Sequence, residues 1–233
     1  MSTTVPPLHV VVFGRPGSGK SSLAERLAGD YGFEMVRTGE LLRQAVRQGG
    51  EIGRRIETDL KTGNLVPDAL VFDLLRSTLT DPSGRSLLFD GVPRTLSQVP
   101  LLERVETDLK VTIDAYVEVA LSREAAVVRM GGRRVCPVCG ATYHVVTQPP
   151  RLAGLCDHEG AGLVRRPDDA PDVIDRRQQV YDAHIGPILA FYRSHVPAKV
   201  RVVNGDQPFE DVYADACGAL KLPLASRNVV ADR

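Results

Sequence analysis

The sequence predicts a doubly wound α/β fold, a parallel sheet with helices on both faces. Three observations carry that prediction. Five short runs that read as buried strands recur along the 233 residues, with longer helical patterns between them. Several runs are β-branched at consecutive positions, as expected for parallel strands covered on both sides. A glycine-rich loop joins the first run to the first helical pattern, at the sheet edge where α/β folds bind ligands.

The predicted strands are Leu8–Phe13, Glu34–Val36, Ser86–Asp90, Ala115–Val119 and Val200–Asn204. Ser21–Asp30 reads as the first helix. Asp68–Leu79 follows Pro67 and opens with an acidic first turn, and Val173–Arg193 and Phe209–Leu220 follow later. Two stretches break the alternation. Arg37–Val66 holds two helical patterns with no strand between them, and Gly132–Asp169 is rich in Gly, Pro, Cys and β-formers, unlike its flanks. Both read as insertions over the carboxyl ends of the strands. The expected organisation is a core of residues 1–36, 67–131 and 170–222, insertions at 37–66 and 132–169, and a flexible tail at 223–233.

Composition narrows the function classes. The 43% apolar content suits a soluble globular chain. With 29 basic and 29 acidic residues, the formal charge is zero, which argues against a surface built for nucleic acid or membrane. An anionic ligand must therefore meet local clusters of positive charge. Leu8–Phe13 is far too short for a secretory signal, and no stretch approaches the roughly 18 apolar residues of a membrane span. A cytoplasmic protein is expected, in which the four cysteines are metal ligands or buried thiols rather than disulfides.

Gly14-Arg15-Pro16-Gly17-Ser18-Gly19-Lys20-Ser21 matches the phosphate-loop pattern G-x-x-x-x-G-K-[ST], between a predicted strand and a predicted helix. The glycines let backbone N–H groups turn inward around a phosphate, and the helix N-terminus adds positive potential. Lys20 would place a point charge on the β- and γ-phosphates, and Ser21 or Ser22 would supply a hydroxyl near Mg²⁺. Asp90 ends the apolar run Leu87-Leu88-Phe89. It should sit at the ligand edge of the sheet and order Mg²⁺ waters, or pair with Arg94.

Further motifs follow in order. Thr38-Gly39-Glu40-Leu41-Leu42-Arg43 resembles the T-G-[DE]-x-x-R start of the AMP-binding subdomain of adenylate kinases, and Gly63-Asn64-Leu65-Val66-Pro67-Asp68 resembles the exit from it. Asp90-Gly91-Val92-Pro93-Arg94-Thr95, with Gln98 beyond, resembles D-G-F-P-R-T-x-x-Q of the same family. Arg129, Arg133, Arg166 and Arg177 fall at the spacings of its later arginines. The resemblance runs from about Val10 to about Leu220. Three departures stand out: Ser21-Ser22 where the family has Gly-Thr, Val92 for the usual Phe, and Arg37 where a small residue is common, which gives a reason to expect an altered acceptor preference.

The resemblance implies a five-stranded phosphate-loop core, an AMP-binding insertion at 37–66, a lid at 132–169, and reversible transfer, ATP + AMP = 2 ADP, by a monomer. ATP would lie on Gly14, Pro16, Gly17, Ser18, Gly19, Lys20, Ser21 and Ser22, with Arg129 stacked on its adenine and Gln207 offering backbone to the base. Arg43 and Arg94 would hold the AMP phosphate, with Thr38, Gly39, Leu65, Val66, Gly91 and Gln98 around the acceptor nucleoside. Arg133, Arg166 and Arg177 would meet the ATP phosphates and the moving group, Arg166 and Arg177 also reaching AMP. Guanidinium suits that work because it is permanently charged and contacts phosphate bidentately. No catalytic base is needed, since the acceptor is already an anion, so His144, His158, His184 and His195 receive no chemical role.

Cys136-Pro137-Val138-Cys139, with Cys156 on a later return, has the spacing of a tetrahedral zinc site; a redox C-x-x-C is the competing reading. The segment resembles the zinc-bearing lid of many bacterial members of the family, which carry a Cys or Asp where this chain has Glu159. Glu159 or the adjacent His158 would complete the site. Cys217 reads as a buried core thiol. Gly131-Gly132 and 166–171 are candidate hinges, and Asp168 and Asp169 would either pair with arginines of the lid or form a solvated acidic turn. Other readings are a nucleoside monophosphate kinase with a different acceptor or a GTP donor, a nucleotide-binding regulator without turnover, and nucleic-acid binding through the cysteine segment.

Overall fold

The computed structural model describes residues 7–79 and 84–224. The expected tail at 223–233 lies outside the described residues beyond Leu224. Five parallel strands form one sheet: β1 (Val10–Phe13), β2 (Glu34–Arg37), β3 (Leu87–Asp90), β4 (Ala115–Ala120) and, late in the chain, β7 (Val200–Asn204). Their order is β2-β3-β1-β4-β7, so the glycine-loop strand is central.

The period-two geometry of a strand assigns β1 to two cores. Val11 and Phe13 join one cluster with Phe89, Tyr116, Phe72, Leu75 and Ile188; Val10 and Val12 join the other with Leu88, Val117, Leu23, Leu27 and Ala216. Each such fully buried aliphatic or aromatic side chain contributes about 1.5–3 kcal/mol of transfer free energy. Helices α1 (Lys20–Tyr31) and α8 (Phe209–Ala219) cover the second face. Helices α4 (Asp68–Thr78), α5 (Val99–Leu109) and α7 (Pro171–His195) cover the first. Among the described residues, no helix is long and apolar enough to cross a membrane.

Two helices escape the sequence reading. One is α5; the other is α6 (Arg123–Gly132), whose last turn contains both candidate hinge glycines. A cue to α6 was present: the Ser122 hydroxyl accepts from the Ala125 N–H at 3.2 Å, and Glu124 stands in the first turn. Helix α7 starts two residues before the expected Val173 because Pro171 fits a first helical turn.

The two interruptions take the forms expected of them. Residues 38–62 fold as α2 (Thr38–Gln48) and α3 (Gly50–Thr62) with no strand between. Residues 133–144 form an antiparallel pair, β5 (Arg133–Val135) with β6 (Thr142–His144), extended by bridges at Val135–Val164 and Leu155–Gly162. Gly63 ends α3 in the left-handed conformation at φ 73°. A Cβ there would meet Arg177 Cγ at 3.0 Å and Val173 at 3.1 Å, so glycine lets the end of α3 close onto α7. That contact brings the helical insertion to the mouth of the core.

Candidate active site

The loop between β1 and α1 turns where the sequence required. Gly17 has φ 91°, and a Cβ on it would lie 2.7 Å from the Ala126 carbonyl oxygen. No L-residue fits that approach without moving α6. The Ser18 N–H donates to the Arg15 carbonyl at 3.0 Å, closing the turn that delivers Lys20 to the first position of α1. Burial pulls the Lys20 ammonium down to about 8; Asp90 opposes that pull, while Arg94, Arg177 and Arg133 add to it.

Asp90, at the end of β3, is buried. Its Oδ2 accepts from the Ser21 hydroxyl at 2.6 Å, and its Oδ1 has no hydrogen-bond partner among the described residues. A buried carboxylate oxygen left unpaired is costly unless a ligand or water meets it. Of the two exposed serines, Ser21 is thus the one whose hydroxyl is joined to Asp90.

A cleft opens beside this loop. It is lined by Gly14, Pro16 and Lys20 from the loop, Gly39, Arg43, Leu60 and Leu65 from the helical insertion, Gly91 and Arg94 after β3, and Asp168 and Arg177. A Cβ on Gly39 would lie 3.6 Å from Arg43 and 3.7 Å from Arg94, so both guanidiniums crowd one backbone position. Arg94 donates to the Gly91 carbonyl at 2.8 Å. Arg43 is held by Glu40, which also receives Arg47 at 2.6 Å. Thr38 is buried, and its hydroxyl has no partner among the described residues. Val66 is buried beside the exit from the insertion.

Gln98 is 2% exposed, and its amide has one orientation. Oε1 accepts from the Arg94 backbone N–H at 2.7 Å, a donor only, and Nε2 donates to the Asp68 carboxylate at 2.7 Å, an acceptor only. One N–H and one lone pair remain, a donor–acceptor edge suited to a base.

On the other side, Arg133 from β5 and Arg177 from α7 converge on Asp168 and Asp169. Arg177 reaches Asp168 at 2.8 Å and Asp169 at 3.3 Å. Asp169 is fully buried, so the acidic pair is not a solvated turn. For Asp168, burial acts to raise the pKa, but Arg177, Arg133, Arg43 and Arg166 outweigh it and hold the carboxyl below its usual range. Burial lowers Arg166 and Arg177 to about 10, which leaves both cationic at neutral pH.

Arg129 lies at the edge of this region, 3.9 Å from Asp206. The Gln207 side chain is spent on Asp215 at 2.7 Å, leaving its backbone for other contacts. Arg37, the position with reason to alter the acceptor pocket, pairs instead with Glu25 on α1 at 2.8 Å.

In the β insertion, the Cys136, Cys139 and Cys156 thiols lie within 4.8 Å of one another. Neither Glu159 nor His158 belongs to that group. The backbone repeats itself around the thiols. Cys136 N–H donates to Ala141 O at 2.9 Å and Gly140 N–H to Cys136 O at 3.0 Å; Cys156 N–H donates to Ala161 O at 2.8 Å and Gly160 N–H to Cys156 O at 2.9 Å. These are two copies of one turn, and Glu159 stands in the second where Cys139 stands in the first. Cys217 is buried in the core, as expected.

The sequence reading did not find Asp68, the residue that fixes Gln98, nor Arg15, which binds both Gln178 and Asp182 behind the loop. Asp68 lay within a quoted motif, but its partner is 30 residues away.

Comparison with known proteins agrees with this geometry. A family model described as adenylate kinase matches residues 12–196. Curated relatives bearing the name adenylate kinase include one from Mesoplasma florum, 36% identical over 91% of this chain and 100% of its own length. Another, from Pyrococcus furiosus, is 37% identical over 88% of this chain and 92% of its own. A third, from Bacillus subtilis, is 34% identical over 89% and 95%. With a phosphate loop, a converging set of arginines and a match across most of its length, the chain belongs to the adenylate kinase family.

Proposed function

We propose that the chain moves a phosphoryl group reversibly between ATP and AMP, with residues 37–66 holding AMP, 132–169 closing as a lid, and the core carrying the phosphate loop. The observation that carries this reading is the convergence of Arg43, Arg94 and Arg177 with Lys20 in one cleft. Phosphoryl transfer through a loose transition state asks mainly for in-line positioning and positive charge on the transferring oxygens. Lys20 and the loop N–H groups would bind the β- and γ-phosphates, while Arg43 and Arg94 fix the acceptor phosphate opposite. Arg133, Arg166 and Arg177 would take up the charge of the moving group, leaving Asp168 and Asp169 as they do so. Closure of 132–169 would exclude water, the competing acceptor.

Thr38, Leu65, Val66, Gly91 and Gln98 would surround the acceptor adenosine. Arg129 and the Gln207 backbone would meet the donor base. The Ser21 hydroxyl and the unpaired Asp90 Oδ1 fit a hydrated Mg²⁺, which prefers to keep several waters. When bound with ATP, that ion neutralises phosphate charge. Three clustered thiols on twin turns fit a structural zinc, with Glu159 or His158 as fourth ligand.

The test is to incubate the protein with Mg·ATP and AMP and follow ADP, with CMP, UMP and GMP as parallel acceptors and GTP as an alternative donor. ADP forming rapidly with AMP, and slowly or not at all with the other acceptors, is the expected result. Transfer to another acceptor would overturn the AMP assignment. Nucleotide binding without any transfer would overturn the catalytic reading.

A further inference from the structure

One arginine of the phosphate loop turns away from the cleft. The Arg15 guanidinium donates through Nε to the Leu121 carbonyl at 2.8 Å, through Nη1 to Gln178 Oε1 at 2.9 Å and through Nη2 to the Asp182 carboxylate at 2.9 Å. It also lies over the Tyr181 ring, 5.0 Å from its centroid. Gln178 has no exposed surface. The far end of its amide, Nε2, donates to the Pro16 carbonyl at 2.9 Å and to Met130 Sδ at 3.3 Å. Burying an amide is costly unless both ends are paired, and an apolar side chain would fill the same volume without that demand. Here both ends are paired with consecutive residues of the loop.

Gln178 also follows Arg177 on α7. Arg177 faces the cleft beside Asp168, and Gln178 grips the back of the loop. One helix therefore fixes the loop and a cleft arginine relative to each other.

We infer that Gln178 and Arg15 are a positioning pair for the donor phosphates, setting where the loop N–H groups stand relative to Arg177. This rests on the phosphotransfer reading. The pair acts through Pro16 and the loop backbone. A misplacement of about 1 Å in such an array is enough to cost about 100-fold in rate.

The experiment compares wild type with Gln178→Leu, which keeps the volume and removes both loop contacts. Steady-state kinetics are measured with each nucleotide varied, alongside the ATP dissociation constant and the melting temperature. The expected result is a loss of about ten-fold or more in kcat/KM for ATP and a matching weakening of ATP binding. KM for AMP should stay within about two-fold, since the acceptor side keeps its contacts. Gln178→Glu, which still accepts from Arg15 but cannot donate to Pro16, should fall between the two. Donor parameters equal to wild type would overturn the inference. So would a loss of active protein with both KM values unchanged, which is the signature of a stability role alone. If Gln178→Leu does not fold, Arg15→Ala decides the matter by the same donor-against-acceptor split. If the wild type forms no ADP, the phosphotransfer reading fails by itself, and the ATP dissociation constants of wild type and variant still test the pair.

Discussion

Asp169 receives Arg133 through both carboxylate oxygens, Nε to Oδ2 at 2.7 Å, and is fully buried while doing so. Arg177 approaches the same carboxylate at 3.3 Å from α7. One buried anion thus holds cations from the β insertion and from the core.

Removing that anion should be costly. Breaking a buried ion pair from one side costs about 3–5 kcal/mol, because the remaining charge is left uncompensated. Both arginines here are partly exposed, so Asp169→Ala is expected to lose about 2–3 kcal/mol in denaturant unfolding. ATP should restore more stability to this variant than to wild type, because its phosphates replace the missing carboxylate. An unchanged unfolding midpoint would show that the pair is not a stabilising link.

Lys20 gives a pH prediction with a definite sign. Burial lowers its folded pKa from 10.5 to about 8. Between those values the unfolded chain holds a proton that the folded chain has released, so the contribution of Lys20 to folding stability rises with pH from about 8 to 10.5. Activity runs the other way, because the neutral amine no longer attracts phosphate. The pH profile of kcat/KM for ATP, which reports the free enzyme, should descend above about pH 8. Lys20→Arg should move that limb upward, and Lys20→Met should lose transfer by orders of magnitude with the fold intact. A flat profile through pH 9.5 would show that Lys20 keeps its charge in the folded enzyme, and near-normal turnover in Lys20→Met would remove Lys20 from phosphate binding.

Asp68 and Gln98 yield a selectivity prediction. The Asp68 carboxylate and the Arg94 N–H together hold the Gln98 amide in one orientation. Adenine offers a donor at its 6-position and an acceptor at N1, and a 6-oxopurine reverses both. Asp68→Ala removes one of the two locks and lets the amide flip at the cost of one hydrogen bond, about 1 kcal/mol. The ratio of kcat/KM for AMP to that for IMP should fall by about five- to ten-fold. An unchanged ratio would mean that Gln98 does not read the purine edge.

These relationships differ in how far a sequence can show them. The inner strands β1, β3 and β4 were legible because parallel strands buried on both faces read as apolar runs, whereas the edge strands β2 and β7 are only partly buried; the loop glycines announce their own conformation. The phosphate loop and Asp90 were legible because strand, loop and helix are contiguous. Arg15 was not: its position in the loop pattern admits any residue, and its partners Gln178 and Asp182 lie more than 160 residues away. Helix α5 went unnoticed although Pro100 stands in its first turn, a cue of the same kind as the one that sets the start of α7. Arg37 shows the converse. Its unusual residue type suggested a changed pocket, but the side chain leaves toward Glu25.

The twin turns of the β insertion predict its metal chemistry. Its small core consists of Cys136, Tyr143 and Cys156, with Ala141, Ala161 and Leu163 packed against them. So little apolar area cannot hold about forty residues in one conformation, and a metal staple would supply what the core lacks. Cys136 and Cys139 flank one turn, and Cys156 and Glu159 flank its repeat. Elemental analysis of protein purified without chelator should therefore find about one zinc per chain, and chelation should lower the melting temperature. Glu159→Cys should bind zinc more tightly than wild type, since thiolate is the softer ligand, while Glu159→Ala should bind it more weakly. If His158 is the fourth ligand instead, Glu159→Ala will match wild type and His158→Ala will carry the loss. A protein without metal, whose melt ignores chelator, would leave the three thiols as a packing cluster and the zinc assignment wrong.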